Sequence, residues 1–169
     1  MMPAKKYASA GALRQALEDR LRQTANTEQV DLARLRRQVA FDRLLARLFR
    51  SDDAPWALKG AYAMELQLRV ARTTVDIDLT LPASLSLSSE EAPATTAVRE
   101  MLQESASLDL GDWFAYTVGA PIMDLDAAPY GGARYPIECR MDGRTFARFH
   151  LDVGIGDVTD RAVAEDSRP

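Results

Sequence analysis

The stretch Val75-Asp76-Ile77-Asp78-Leu79-Thr80-Leu81 constrains this chain more than any other. Strand side chains alternate between faces, so Asp76 and Asp78 share one face while Val75, Ile77, Leu79 and Leu81 share the other. The apolar side can be buried. The opposite side then carries two carboxylates about 6–7 Å apart, given a rise of roughly 3.3 Å per residue. Two anions that close repel, and a divalent cation is the simplest way to keep both ionised. Asp-x-Asp alone favours a blander reading, a solvated strand that happens to carry two acids.

The preceding residues change that balance. Trp56-Ala57-Leu58 predicts a short buried strand, Lys59-Gly60-Ala61 a small-residue turn, and residues 62–68 a short helix of good helix formers. A helix start offers unpaired N–H groups that suit phosphate oxygens. In this order, L-K-G-A-Y-A-M-E-L and R-T-T-V-D-I-D-L resemble the AbiEii/AbiGii toxin family, a branch of the polymerase-β-like nucleotidyltransferases. The resemblance is carried by Gly60-Ala61, Arg72, Thr74 and Asp76-Ile77-Asp78-Leu79. It assigns Lys59, Gly60, Ala61, Arg72 and Thr74 to nucleotide binding.

A second alternating run follows much later. In Phe146-Ala147-Arg148-Phe149-His150-Leu151-Asp152-Val153, Ala147, Phe149, Leu151 and Val153 take one face, and Arg148, His150 and Asp152 the other. If this strand lies beside the first with its apolar face inward, Asp152 joins Asp76 and Asp78. Three carboxylates on adjacent strands can hold two Mg²⁺ (or Mn²⁺) ions and, through them, the phosphates of an NTP. The family's second acidic element is similar to L-D-V-G here, and this implies that Asp152 is the third acid. His150 reads as a packed strand histidine rather than a ligand. Arg148 either steadies a phosphate or neutralises the acids.

Composition narrows the alternatives. Cys139 is the only cysteine and His150 the only histidine, which excludes an internal disulfide and a Cys/His zinc cluster. No apolar run approaches the 18–20 residues of a membrane helix, and M-M-P-A-K-K is not followed by a signal-peptide core, so the expected location is cytoplasmic. Charge is uneven: residues 1–50 hold 11 Lys/Arg against 5 Asp/Glu, and the remainder 10 against 20. The basic front either meets a polyanion or is a solvated helix face.

Leu13, Ala16, Leu17 and Leu21 predict a helix to about Thr24, with a break at Ala25-Asn26-Thr27. Asp31 is placed to cap a second helix that runs to about Arg50, with Arg36, Arg43, Arg47 and Arg50 on a common outer stripe. Residues 83–89 read as a loop, Ser88 or Ser89 as a helix start, and residues 95–105 as a helix. The rest is β-rich, at 113–118, 134–141 and 144–155, with a hairpin turn at Asp142-Gly143, and Pro136 suggests that its strand lies at an edge or has a bulge.

The expected fold is α/β (α+β): N-terminal helices packed on a mixed, mainly antiparallel sheet. Residues 1–55 form a helical region and 56–169 a nucleotidyltransferase-like core. The resemblance implies transfer of a nucleotide from an NTP to an acceptor such as tRNA or another RNA, by a toxin with a cognate antitoxin. Three departures from the family pattern stand out. Ala61 replaces a glycine, Tyr62 replaces a small hydroxyl residue, and the only lysines are Lys5, Lys6 and Lys59, where the family carries a later one on helices that this chain is expected to lack. A catalytically silent RNA- or protein-binding module and a metal-dependent phosphohydrolase are the alternatives.

Overall fold

Apolar residues at alternate strand positions and at three- and four-residue helix steps find one another in a single core. The computed structural model describes residues 7–59, 76–82, 94–124 and 131–156. Three helices are present among them, α1 (Ala10–Glu28), α2 (Leu32–Leu48) and α3 (Ala94–Ala106). The strands are β1 (Ala57–Lys59), β2 (Asp76–Leu81), β3 (Phe114–Val118), β4 (Met123–Asp124), β5 (Gly132–Met141) and β6 (Arg144–Ile155). They form one sheet in the order β1-β2-β6-β5-β3, with the two-residue β4 also paired to β5. Only β2 and β6 run parallel. The sheet is mixed and mainly antiparallel, as expected.

One face of the sheet is apolar. Ile77, Leu79 and Leu81 of β2, Leu151, Val153 and Ile155 of β6, and Tyr135, Ile137, Cys139 and Met141 of β5 are all buried. The helices cover this face. α2 contributes Ala40, Phe41, Leu44, Leu45 and Leu48, and α3 contributes Val98, Leu102 and Ala106 at four-residue steps. Phe41 meets Phe149 edge-to-face at 4.7 Å between ring centroids. Two phenols cross the same seam as hydrogen-bond donors, Tyr116 to the Ala40 carbonyl at 2.7 Å and Tyr135 to the Thr95 carbonyl at 2.8 Å. Each gives a buried hydroxyl its partner and ties a helix to the sheet. Burial also pushes the Cys139 thiol up to about 12, which makes it an inert core residue rather than a nucleophile.

Helix ends follow local chemistry. Ser9 Oγ accepts from the Ala12 N–H at 3.1 Å and caps α1. The helix then continues through Ala25-Asn26-Thr27, where a break was expected, and stops where Gln29 turns left-handed at φ 53°. Asn26 and Thr27 are poor helix formers but do not forbid helical dihedrals, Ala25 favours them, and the turn preceding them is already formed. Asp31 occupies the N-cap of α2 without a side-chain capping bond. Arg14 fastens α1 to the β5–β6 turn, its guanidinium donating to the carbonyls of Met141, Arg144 and Thr145 at 2.8–3.2 Å. In that turn Asp142 and Gly143 both have positive φ, 57° and 69°, as the expected tight hairpin requires.

Two expectations need correction. Pro136 is not on an edge strand, because β5 lies between β6 and the β3/β4 side. Its carbonyl accepts from the Gly119 N–H on that β3/β4 side, so its missing N–H also faces that way, where β3 has ended at Val118 and β4 has yet to begin. No ladder bond to β6 is lost. The alternative expectation, a bulge in that strand, is met by the register shift between Cys139 and Arg140. The arginines of α2 also do not form an outer stripe. Arg47 is 2% exposed and pairs with Asp112, Arg43 donates to the same carboxylate, and Arg36 is clamped to Glu18 of α1. Arg47 points into the sheet because it has a carboxylate and the Tyr116 ring to meet there.

Candidate active site

Alternation leaves the other face of the sheet polar, and strand register arranges that face in rows. Lys59 of β1 is opposite Asp78 of β2, Asp78 is opposite Asp152 of β6, and Asp152 is opposite Arg134 of β5. Cross-strand partners share a face, and neighbouring strands are about 4.8 Å apart. Two acids therefore lie side by side with a basic residue at each outer position. Asp76 is opposite His150, and His150 is opposite Pro136, which makes a second row. Arg148, Glu138 and Thr117 make a third.

Arg134 was missed in the sequence. Its Nε donates to Asp152 Oδ1 at 2.8 Å and its Nη2 to Oδ2 at 3.0 Å, a two-point clamp on a largely buried carboxylate. Counting back from the Asp142-Gly143 turn would pair Arg134 with Leu151. The bulge leaves Phe146 without a cross-strand partner and slips the register by one, which brings Arg134 to Asp152. A signal for this slip existed. Without it the apolar residues of β5 would oppose Arg148 and His150 of β6, so the two alternations can be reconciled only by an extra residue.

On the side of the acid row away from Asp76 the residues are small. Ala57, Thr80, Gly154 and Gly132 occupy that register. A Cβ on Gly132 would stand 2.4 Å from the Val153 carbonyl oxygen, so only glycine allows β5 and β6 to meet there. Thr80 shares the face of Asp78 and is buried, and its Oγ1 has no hydrogen-bond partner among the described residues.

Arg148 is 73% exposed along its side chain and is 3.2 Å from Glu138 rather than at the acid row. Glu138 titrates below its ordinary value, chiefly because the Thr145 hydroxyl donates to it, with Arg140 and Arg148 adding to the effect. His150 is half-buried. Of the remaining expected site residues, Gly60, Ala61, Arg72 and Thr74 lie outside the described residues, as do the side chains of Lys59 and Asp76. Among the described residues no group of three or more His, Cys, Asp or Glu side chains forms a metal cluster. The donors they do contribute are hard oxygens, the carboxylates of Asp78 and Asp152 and the orphaned Thr80 hydroxyl, and this chemistry fits Mg²⁺ or Mn²⁺ rather than zinc.

No helix among the described residues is long and apolar enough to cross a membrane. A comparison with curated proteins finds no match. The sequence model of one family, described as the nucleotidyl transferase AbiEii toxin of type IV toxin–antitoxin systems, matches residues 43–168, which include β1, β2, β5 and β6 with the whole acid row. With three quarters of its length inside that match, this chain belongs to the AbiEii family of nucleotidyl transferase toxins.

Proposed function

We propose that the chain transfers a nucleotide from an NTP to an acceptor hydroxyl, with RNA, tRNA included, as the acceptor, and that Asp76, Asp78 and Asp152 form the reacting centre. The observation that carries this reading is the register pair Asp78–Asp152, flanked by Lys59 and Arg134, within the matched segment. Two carboxylates side by side on parallel strands hold negative charge where it is costly unless a cation shares it.

Asp76, Asp78 and Asp152 would hold the divalent metal, which when bound supplies charge neutralisation for the phosphates. Arg134 holds the Asp152 carboxylate in one orientation by its two-point clamp and brings a fixed positive charge to the site. Lys59 stands at the opposite end of the row, and Gly60 and Ala61, which follow it in sequence, would receive the triphosphate. In the reaction the acceptor oxygen bonds to the α-phosphorus, the bond from that phosphorus to the bridging oxygen breaks, and pyrophosphate leaves. The hydroxyl proton passes to Asp152 or to water. Positioning accounts for much of the rate gain.

Incubation with labelled NTPs, total RNA and Mg²⁺ or Mn²⁺ tests this reading. Label on RNA that disappears in Asp78→Asn is the expected result. Free phosphate in its place would indicate a phosphohydrolase, and no turnover a silent binding module. As a member of a toxin family, the chain should also have a cognate antitoxin. Co-expression with the gene next to its own should restore growth.

A further inference from the structure

The polar face of the sheet continues past the acids into a pocket of about 340 Å³ on β6, β5 and β3. Thr117, Gly119, Pro136, Glu138, Arg148 and His150 line it. Its position is informative. Across the sheet, β1 with Lys59 lies on one side of the acid pair, and the pocket lies on the other, starting one row from Asp152. In-line displacement at phosphorus needs the leaving pyrophosphate and the attacking hydroxyl on opposite sides. With the triphosphate on the β1 side, the acceptor must arrive over β6 and β5.

We infer that this pocket receives the terminal nucleoside of the acceptor RNA, and that Glu138 reads its base. This rests on the transfer reading above and adds to it the place where the acceptor sits. The volume is at the small-ligand end of the usual range, enough for one nucleoside. Pro136 and the His150 imidazole offer flat surfaces for a base, and Arg148 offers a charge for its phosphate. Among the described residues, the hydrogen bonds and ion pairs on the Glu138 carboxylate all fall on Oε2, from Thr145, Arg148 and Arg140. Oε1 is left to accept from a base N–H. Gly119 keeps the β3 wall thin, since a Cβ there would stand 2.7 Å from Pro136 Cγ.

The chain has one histidine, so in tag-free protein the ring C–H resonances of His150 report on this pocket without assignment. Titration with single-stranded oligoribonucleotides should shift them saturably without divalent metal, with an affinity that depends on the 3′-terminal base, while NTPs without divalent metal should not. Thr117 is exposed on β3, and Thr117→Trp should fill the space and weaken oligonucleotide binding at least about fivefold. Glu138→Gln, which replaces one acceptor oxygen by a donor, should change the order of terminal-base preference. Shifts produced by NTPs but not by RNA would make this the donor's base site and overturn the inference. So would RNA binding that leaves His150 unmoved, or that keeps its base preference in Glu138→Gln. The two readings fail separately. RNA labelling without a His150 shift removes the pocket alone, whereas a base-dependent shift without any labelling removes the transfer reading and leaves the pocket.

Discussion

Two arginine–carboxylate clamps lie on opposite faces of the same sheet. Under α2, Asp112 is 5% exposed and accepts from Arg47 at 2.6 and 3.0 Å, from Arg43 at 2.8 Å and from the Phe114 N–H at 3.2 Å. On the polar face, Asp152 accepts from Arg134 at 2.8 and 3.0 Å. The bonds are alike and the surroundings are not. Asp112 is one acid enclosed by two cations, with the Tyr116 ring against Arg47. Asp152 is an acid placed beside another acid. The first arrangement is electrostatically closed and ties α2 to the start of β3. The second sets two carboxylates side by side between Lys59 and Arg134, an arrangement that suits a cation-binding site and adds little to stability.

The largest effect should come from opening the closed clamp. Asp112→Ala leaves Arg47 buried and uncompensated, and breaking such a pair costs about 3–5 kcal/mol. Urea unfolding should show that loss at an unchanged slope. A cost below about 1 kcal/mol would mean that water replaces the carboxylate, and the contrast with Asp152 would lose its basis.

The acids of the polar face should behave the other way. Asp78→Asn removes one of two neighbouring anions, so without metal it should cost much less stability than Asp112→Ala, while the gain in melting temperature on adding Mn²⁺ largely vanishes. Asp152→Asn should lose the same Mn²⁺ response and cost about 1–2 kcal/mol through the weakened Arg134 bonds. If either variant keeps the full Mn²⁺ shift and is as destabilised as Asp112→Ala, its carboxylate is structural and the two faces are not different in kind.

This contrast was only half legible in the sequence. The strands carrying Asp78 and Asp152 announced themselves by strict alternation, and alternation decides faces, so their common side could be read from spacing. The roles of arginines could not. Arg43 and Arg47 fit an outer stripe of α2 by periodicity, because a helix period says which residues are neighbours and nothing about a carboxylate 65 residues away. Arg134 was hidden by a bulge, a backbone event that shifts every later partner by one. Pro136 misled for a related reason: its edge-strand signature is satisfied by a gap between β3 and β4 within one side of an interior strand. Long-range partners and local backbone irregularity were the information that composition and period do not contain.

Acid titration sharpens the comparison on a smaller scale. Burial alone would raise the Asp112 carboxyl, but the hydrogen bonds from Arg47 and Arg43 outweigh it and hold the group below its ordinary value. A depressed folded pKa means that the stabilisation is present above the unfolded value of about 3.9 and is lost as pH falls through the folded one. Wild-type stability should therefore drop below about pH 4, and Asp112→Asn should lose part of that dependence. An acid limb of equal steepness in the variant would place the pH sensitivity elsewhere.

The smallest expected effect concerns the clamp between α1 and α2. Arg36 donates to both oxygens of Glu18, at 3.0 Å from Nε and 2.6 Å from Nη2, and Glu18 is mostly buried. Burial would raise the Glu18 carboxyl, and the Arg36 bonds more than offset this, so it too titrates low. Arg36→Gln keeps one donor, leaves Arg22 3.8 Å from the same carboxylate, and should cost only about 1 kcal/mol. Its value lies in the second measurement. A basic helix face that contacts RNA phosphates loses roughly one unit of salt slope for each contact removed. An arginine already engaged by Glu18 has no phosphate to release, so the salt dependence of RNA binding should be the same in Arg36→Gln as in the wild type. A flatter slope would show that Arg36 leaves Glu18 when RNA binds. The N-terminal helices would then belong with the polar face as a binding surface, not with the closed clamp that holds the fold.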